Sequence, residues 1–501
     1  MNRKIGVILS YLLMIFEILS TFLLTPFLIR TLGNAEYGVY KLIISINSYL
    51  LLLDLGVGNS IIRFLSKYKV NNNIEKTKQF MGVVTIFYLV VSVVALIIGC
   101  VLAGVFPIAF SKGLTDEEIK LAQKLLLLVT ANSFFTLLTV PSFNSLMAYE
   151  KFAVSKLVSI IFIVLKIGLS FAALFLGLGS IGICVVQLIC TVLSRTFFVF
   201  YSRYKLGLKV TFKGIHKKFV IEIISYSSFI LLQMIATQIN ASLDQILIGS
   251  FVSSSAVILG VYAVGSQISQ YFSSIGSAVS GVLMPGVVKM VEKDPNPNSY
   301  LKEMIKIGRI SFAILGLILS VFIVNGKFFI NTWAGSENSD AYYVALFLIF
   351  GNIFVLCESV GVQILWAMNA HKEQSIAKLC LVLLNIVLTI FLVRWDPLIG
   401  ASLGTFISLI LGDVVVSMII FKKKLKIPLM NYFTNTYVAF ICLDVFIIAF
   451  GFGINRYMPA NIMGFLISCL IMVILYFIGC FFVVLNQNEK NMIKSIFIKR
   501  R

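Results

Sequence analysis

Leu24-Thr25-Pro26-Phe27-Leu28-Ile29-Arg30-Thr31-Leu32-Gly33-Asn34-Ala35-Glu36-Tyr37-Gly38-Val39-Tyr40 joins two apolar runs, at 5–29 and 38–62, each long enough to span a bilayer. Its last three residues return as Gly260-Val261-Tyr262, an offset of about 220 residues. The offset recurs along the chain. Asn132 matches Asn352, and Leu146-Met147-Ala148 resembles Leu365-Trp366-Ala367. Leu165-Lys166-Ile167-Gly168-Leu169-Ser170 parallels Leu384-Asn385-Ile386-Val387-Leu388-Thr389, and Ser180-Ile181-Gly182 parallels Leu398-Ile399-Gly400. Each match is weak alone, and the nearly constant offset is what makes chance a poor account. Six apolar runs make up each copy, and an even number of crossings returns the chain to the same side. The two copies therefore share one orientation, related by an axis along the membrane normal.

The remaining runs of about 20 or more apolar residues lie at 80–106, 121–148, 153–176, 180–202, 219–248, 257–288, 307–330, 341–368, 374–394, 398–421, 432–455 and 459–485. The expected fold is all-α: a polytopic membrane protein of about 14 transmembrane helices, two parallel six-helix repeats plus two C-terminal helices. The expected boundaries are 1–210 for the first lobe, 211–425 for the second, and 426–501 for the added helices and tail. Composition excludes an ordinary soluble globule. Of 501 residues, 59% are hydrophobic and 12% charged, and the mean hydropathy is +1.00. The eight cysteines all sit in apolar segments, where they read as packing residues rather than a disulfide framework.

The net charge of +20 does not indicate nucleic acid, because the basic residues follow a topological rule. With the N-terminus in the cytoplasm, about three quarters of the 41 Lys and Arg fall on cytoplasmic segments. Both termini are expected on that side. Loop clusters such as Lys67/Lys69/Lys76/Lys78, Lys213/Lys217/Lys218 and Lys422/Lys423/Lys424/Lys426 read as anchors near anionic lipid. The first run exceeds a signal-peptide core and is followed by Pro26, Arg30 and a turn, so it is expected to stay in the mature protein.

Three cations interrupt this pattern: Lys41, Lys166 and Arg195 lie inside spans, all in the first 200 residues. A charge at bilayer depth costs about 2.5 to 3.5 kcal/mol, so such residues are expected to face a cavity, a partner or a substrate. Lys166 is midway along its span, on a stripe with Ser155, Ser159 and Ser170, where snorkelling is difficult; Arg195 shares a face with Gln187 and Thr191, and Lys41 sits near the outer mouth. Polar stripes run along other spans. Gln233, Thr237, Asn240 and Asp244 step by four, three and four on the seventh, with Asp244 near its outer end. Ser266, Gln270, Ser273, Ser277 and Ser280 line the eighth, and Ser10, Glu17 and Thr21 the first. These stripes read either as the lining of a water-filled cavity or as helix packing, since Ser, Thr and Gln bond across membrane helices. Glu17 and Asp54 pair structurally with other groups, neutralise the cations, coordinate a coupling cation or relay a proton.

The stretch 24–40, followed by Asp54-Leu55-Gly56-Val57-Gly58, resembles the start of the bacterial polysaccharide-transporter family, the O-antigen and capsule repeat-unit flippases of the multidrug/oligosaccharidyl-lipid/polysaccharide exporter superfamily. The resemblance extends over the duplicated layout and is most specific at the N-terminus. It implies movement of an undecaprenyl-diphosphate-linked oligosaccharide from the inner to the outer leaflet of a bacterial cytoplasmic membrane, and a central cavity lined by cations. It implies further that the added helices supply a groove for the lipid tail, and it makes a polysaccharide polymerase and chain-length machinery candidate partners; uniport and exchange for H⁺ or Na⁺ both stay open.

The residues argue for the same class. A lipid-linked sugar has an anionic head that resists hydrocarbon and a tail that can stay in lipid, so its carrier needs a polar, positive cleft beside an apolar flank. An inside-negative potential helps an outgoing anion by about 2.3 kcal/mol per charge per 100 mV. No GxxxxGK[ST] loop is present for direct ATP coupling, and no cofactor is called for. Two alternatives stay open. A multidrug cation antiporter shares the plan but favours twelve spans and acidic cavity residues. A membrane polysaccharide polymerase or ligase needs an exposed catalytic centre, yet the outer connections are short and His216 and His371 both fall on cytoplasmic segments.

Overall fold

Along residues 74–110 the chain sorts by what each side of a helix touches. Val84, Tyr88, Val91, Ala95, Gly99, Ala103 and Phe106 recur at three- and four-residue steps and are buried, while Ile86, Val90, Val94, Ile97, Val101 and Val105 are exposed on the opposite side. In water such a surface would be unstable; in lipid it gains nothing by hiding, so small residues that admit close packing take the inner face. A Cβ at Gly99 would strike the Thr130 side chain on the neighbouring helix.

The computed structural model describes residues 3–211, 217–293, 296–368, 372–487 and 489–490. No strand occurs among them, and each expected span falls mainly on helical backbone. Among the described residues, ten stretches are long and apolar enough to cross a membrane, with Ile376–Leu392 a shorter apolar helix. The protein is a multi-pass, all-α membrane protein. His216 and His371 lie outside the described residues.

The helices are α1 (Arg3–Leu51), α2 (Val57–Val70), α3 (Ile74–Phe110), α4 (Asp116–Leu138), α5 (Val140–Ala148), α6 (Phe152–Phe175), α7 (Gly179–Phe200), α8 (Lys217–Phe251) and α9 (Ser255–Lys293). They continue with α10 (Pro297–Trp333), α11 (Ala341–Ala367), α12 (Lys372–Leu392), α13 (Pro397–Ser408), α14 (Val416–Ile420), α15 (Leu429–Phe433), α16 (Ala439–Asn455) and α17 (Ile462–Gly479). Five-residue π turns at Phe421–Leu425 and Thr434–Val438 and a seven-residue one at Leu409–Val415 keep α13–α14 and α15–α16 helical throughout. The chain forms two compact units, Met1–Ala263 and Val264–Arg501, dividing within α9.

Three expected spans differ in detail, one of them 121–148, which is interrupted at Thr139 between α4 and α5, where Pro141 opens the new helix. The first two share one helix with a kink at Gly33, whose φ of 75° and ψ of 166° leave the helical region, as glycine can without a Cβ penalty. The second span, expected continuous over 38–62, breaks at Leu52–Gly56. A 3₁₀ turn at Leu52–Asp54 leads into Leu55 and Gly56, both left-handed, before α2 begins. The Asp-Leu-Gly-Val-Gly stretch is the break itself. The Asp54 carboxylate accepts the backbone N–H groups of Gly56 and Gly58 at the start of α2, satisfying donors that helix N-termini leave open.

Within unit 1, the glycines of the duplicated triplets meet. A Cβ at Gly38 would strike the Ala256 carbonyl oxygen and come within 2.6 Å of the Gly260 nitrogen, and one at Gly260 would strike the Asn34 carbonyl oxygen. The crossing of α1 and the first turns of α9 therefore has backbone against backbone, which only glycine permits.

Candidate functional site

The three cations take different partners. Lys41, on α1 beyond the kink, is half-buried with its Nζ 5.5 Å from the centroid of the fully buried Tyr37 ring. Lys166, on α6, is half-buried and within electrostatic reach of Glu17 on α1, the helix it packs against. Arg195, on α7, is half-buried with its guanidinium carbon 5.0 Å from the Phe143 ring centroid on α5. Glu17 is exposed at the protein surface, so the Lys166–Glu17 pair is not sealed in a core.

Of the expected acidic and polar residues in unit 1, Asp54 belongs to the architecture. Besides the two backbone donors it accepts the Tyr88 hydroxyl, and Asn144 Nδ2 donates to the Gly58 carbonyl at 2.9 Å. Asp244, expected near the wetter outer end of its span, is only 4% exposed and accepts the Tyr262 hydroxyl. Thr237 is exposed and Asn240 half-buried on α8; the Gln233 side chain lies outside the described residues.

A second polar row on α8 went unread in the sequence. Gln238, Ser242 and Gln245 turn toward Ser45 and Ser48 of α1: Gln238 Nε2 donates to Ser48 Oγ at 2.5 Å, and Ser45 donates to Gln245 Oε1. Ser133 donates to Asn47 Oδ1 at 2.7 Å, adding α4. This row is interhelical hydrogen bonding of the packing kind. The available signal was that Gln238, Ser242 and Gln245 step by four and three, as Ser45 and Ser48 step by three.

In unit 2, the eighth-span residues sit on α9 with Gln270 and Ser277 exposed and Ser273 half-buried; Gln267 Nε2 donates to Gln270 Oε1 at 3.3 Å. The repeat counterparts of the cations are engaged locally. Asn385, matching Lys166, is fully buried and takes the Thr389 hydroxyl at 3.0 Å. Asp413, which aligns with Arg195, meets Lys378 at 3.0 Å.

The chain's deeply held cation was also missed. Arg309 lies just inside the expected start of its span, yet it is 6% exposed within α10. It donates to Glu489 at 2.7 and 3.0 Å, to the Asn435 carbonyl at 2.8 Å and to the Val484 carbonyl at 2.7 Å. Above it runs a polar seam joining α10 to α16 and α17. Ser320 donates to Asp444 at 3.0 Å, Asn455 to Asn325 at 3.0 Å, and Ser468 to Asn455 at 2.6 Å. Beside the seam, Leu317, Val321, Phe329, Phe465 and Val473 line an apolar groove of about 330 Å³ between α10 and α17. Glu358 on α11 is 2% exposed, and among the described residues neither carboxylate oxygen has a hydrogen-bond partner. Electrostatic contacts link it to Asp413, Tyr432 and Tyr437. No group of three or more potential metal ligands occurs among the described residues.

The family described as polysaccharide biosynthesis protein matches residues 4–291, more than half of the chain. The chain belongs to this family. A probable flippase, AglR of Haloferax volcanii, is 24% identical over 213 residues, 42% of this chain and 44% of the relative, so the match spans under half of that protein's length. Among solved structures, the lipid II flippase MurJ in an inward closed conformation superposes with a TM-score of 0.72 at 19% identity, covering 95% of this chain and 97% of that one. An inward-facing multidrug resistance MATE transporter of the MOP superfamily gives 0.59 at 15%, covering 81% and 95%. At these identities the likeness is one of fold, and the fold is that of the MurJ and MATE proteins. The multi-pass all-α architecture and the resemblance read from residues 24–58 are both borne out.

Proposed function

We propose that this protein carries an undecaprenyl-diphosphate-linked polysaccharide repeat unit from the cytoplasmic to the outer leaflet of a bacterial cytoplasmic membrane by alternating access, with both termini cytoplasmic and the lobes divided near residues 210 and 425. The observation that carries the reading is Lys166: an amino group midway along an apolar helix, half-buried beside an exposed Glu17 rather than locked in a closed network as Arg309 is. It suits an anionic diphosphate that must be bound and released. Lys41 and Arg195 add positive charge along unit 1, while Glu17, Thr237, Asn240, Gln270, Ser273 and Ser277 supply hydrogen-bonding groups for sugars. The apolar groove beside α17 suits an isoprenoid tail. Glu358, buried and with no hydrogen-bond donor among the described residues, suits a coupling H⁺ or Na⁺, since a carboxylate in that position needs a proton or a cation. The reading is transport rather than catalysis, feeding a polysaccharide polymerase.

The test reconstitutes native protein and Lys166→Gln in vesicles and follows a labelled lipid-linked oligosaccharide to the opposite leaflet. Lys166→Gln is expected to slow transfer by about tenfold or more, the scale of one charge-assisted contact. Unchanged transfer removes Lys166 from the path. Movement of organic cations but no lipid-linked sugar replaces the flippase reading with cation export.

A further inference from the structure

Beyond the ends of the apolar runs at 38–62 and 80–106, at the end of unit 1 that the charge bias turns toward the cytoplasm, lies a recess of about 260 Å³ that the transport reading does not use. Lys69, Lys78 and Lys209 reach it from three separate chain segments, joined by Asn72, Thr77 and Tyr149; none of its lining residues is acidic. The recess is built rather than incidental. Its floor includes Tyr68 and Leu208, both 7% exposed and part of a core cluster with Phe64, Phe80 and Ala148. Its far wall is held by Thr211 N–H on the Lys78 carbonyl at 3.2 Å and Leu208 N–H on the Ser202 carbonyl at 3.3 Å. Tyr149 fixes one rim, its ring centroid 5.0 Å from Lys69 Nζ. The N-terminus of the 37-residue α3 opens here as well, and its dipole adds to the positive potential.

We propose that this recess binds a phosphate group. Three like charges gathered over a rigid floor repel one another, and a multiply charged tetrahedral anion relieves that repulsion while accepting from ammonium, amide and hydroxyl donors at once. The phosphate belongs either to an anionic lipid headgroup or to a soluble phosphate compound, and the place at the membrane edge admits both. None of Lys41, Lys166 or Arg195 takes part.

The full-length protein in neutral phosphatidylcholine nanodiscs is titrated with radiolabelled pyrophosphate and, separately, with fluorescent phosphatidic acid in the bilayer. Native protein is expected to bind at least one probe, and which one identifies the source. Replacing Lys69, Lys78 and Lys209 together by Gln is expected to weaken binding by about a hundredfold, the product of roughly fivefold per lysine, and replacing them by Arg to preserve it. Lys209→Gln alone, an exposed position, is expected to cost about fivefold, which keeps the test independent of how the triple variant folds. Binding of neither probe by native protein, or equal binding by native, Lys209→Gln and triple-Gln proteins, overturns the proposal. Both titrations are repeated in the Lys166→Gln background, where binding that survives and falls on adding Lys209→Gln belongs to the recess; Lys209→Gln is expected to leave transfer of the lipid-linked oligosaccharide at the native rate, so the site stands or falls apart from the transport reading.

Discussion

A buried arginine is tolerable only when its donors are met, and Arg309 meets them from four acceptor atoms on three groups. Removing one side of such a pair leaves an uncompensated charge, a loss of about 3 to 5 kcal/mol. Arg309→Gln is therefore expected to lower the thermal midpoint sharply, and Glu489→Gln to do so as well. The double variant should lose less than the sum, by about 0.5 to 3 kcal/mol; strict additivity would show that the two do not act as a pair. Asp54 makes the converse case, a carboxylate in a span whose partners are structural. Asp54→Asn keeps an acceptor for the α2 N-terminus and is expected to transport near the native rate, whereas Asp54→Ala should cost about 1 to 2 kcal/mol of stability. Abolished transport in Asp54→Asn at an unchanged melting temperature would return Asp54 to the substrate path.

Helices meet in lipid without a hydrophobic drive, so a contact depends on how closely two backbones approach. The Gly38–Gly260 crossing is the extreme case, because a methyl group on either side lands on the other's backbone. Gly38→Ala and Gly260→Ala are each expected to destabilise by about 1 to 3 kcal/mol. Once one Cβ has pushed the helices apart the second meets less resistance, so the double variant should fall short of the sum; melting of the three variants in detergent decides it. The duplicated Gly-Val-Tyr triplets marked both partners of this contact in the sequence. The break at Leu52–Gly56 was not legible in the same way. An apolar run of suitable length reads as one helix, and only the Asp54 bonds to Gly56 and Gly58 show where it restarts.

At the scale of the molecule, the two C-terminal helices are integral to unit 2. Truncation after Leu425 would strip partners from Ser320, Asn325 and Arg309 together, each left polar and buried. The shortened protein is expected to aggregate or to melt well below the full chain. A monodisperse product with an unchanged midpoint would show the seam to be dispensable. The helical spans, save for breaks such as Leu52–Gly56, the repeated motifs and the family were all legible in the chain, because a backbone in hydrocarbon must bond to itself and the required apolar runs are local properties. Tertiary structure alone decided the role of each polar residue. Asp54, Asp244 and the Gln238–Ser242–Gln245 row turned out to hold helices together, and Arg309, unremarkable at the edge of its span, turned out to be the most firmly held cation described. A buried polar group takes its role from its partner, and apart from Gly56 and Gly58 beside Asp54 these partners lie tens to hundreds of residues away along the chain.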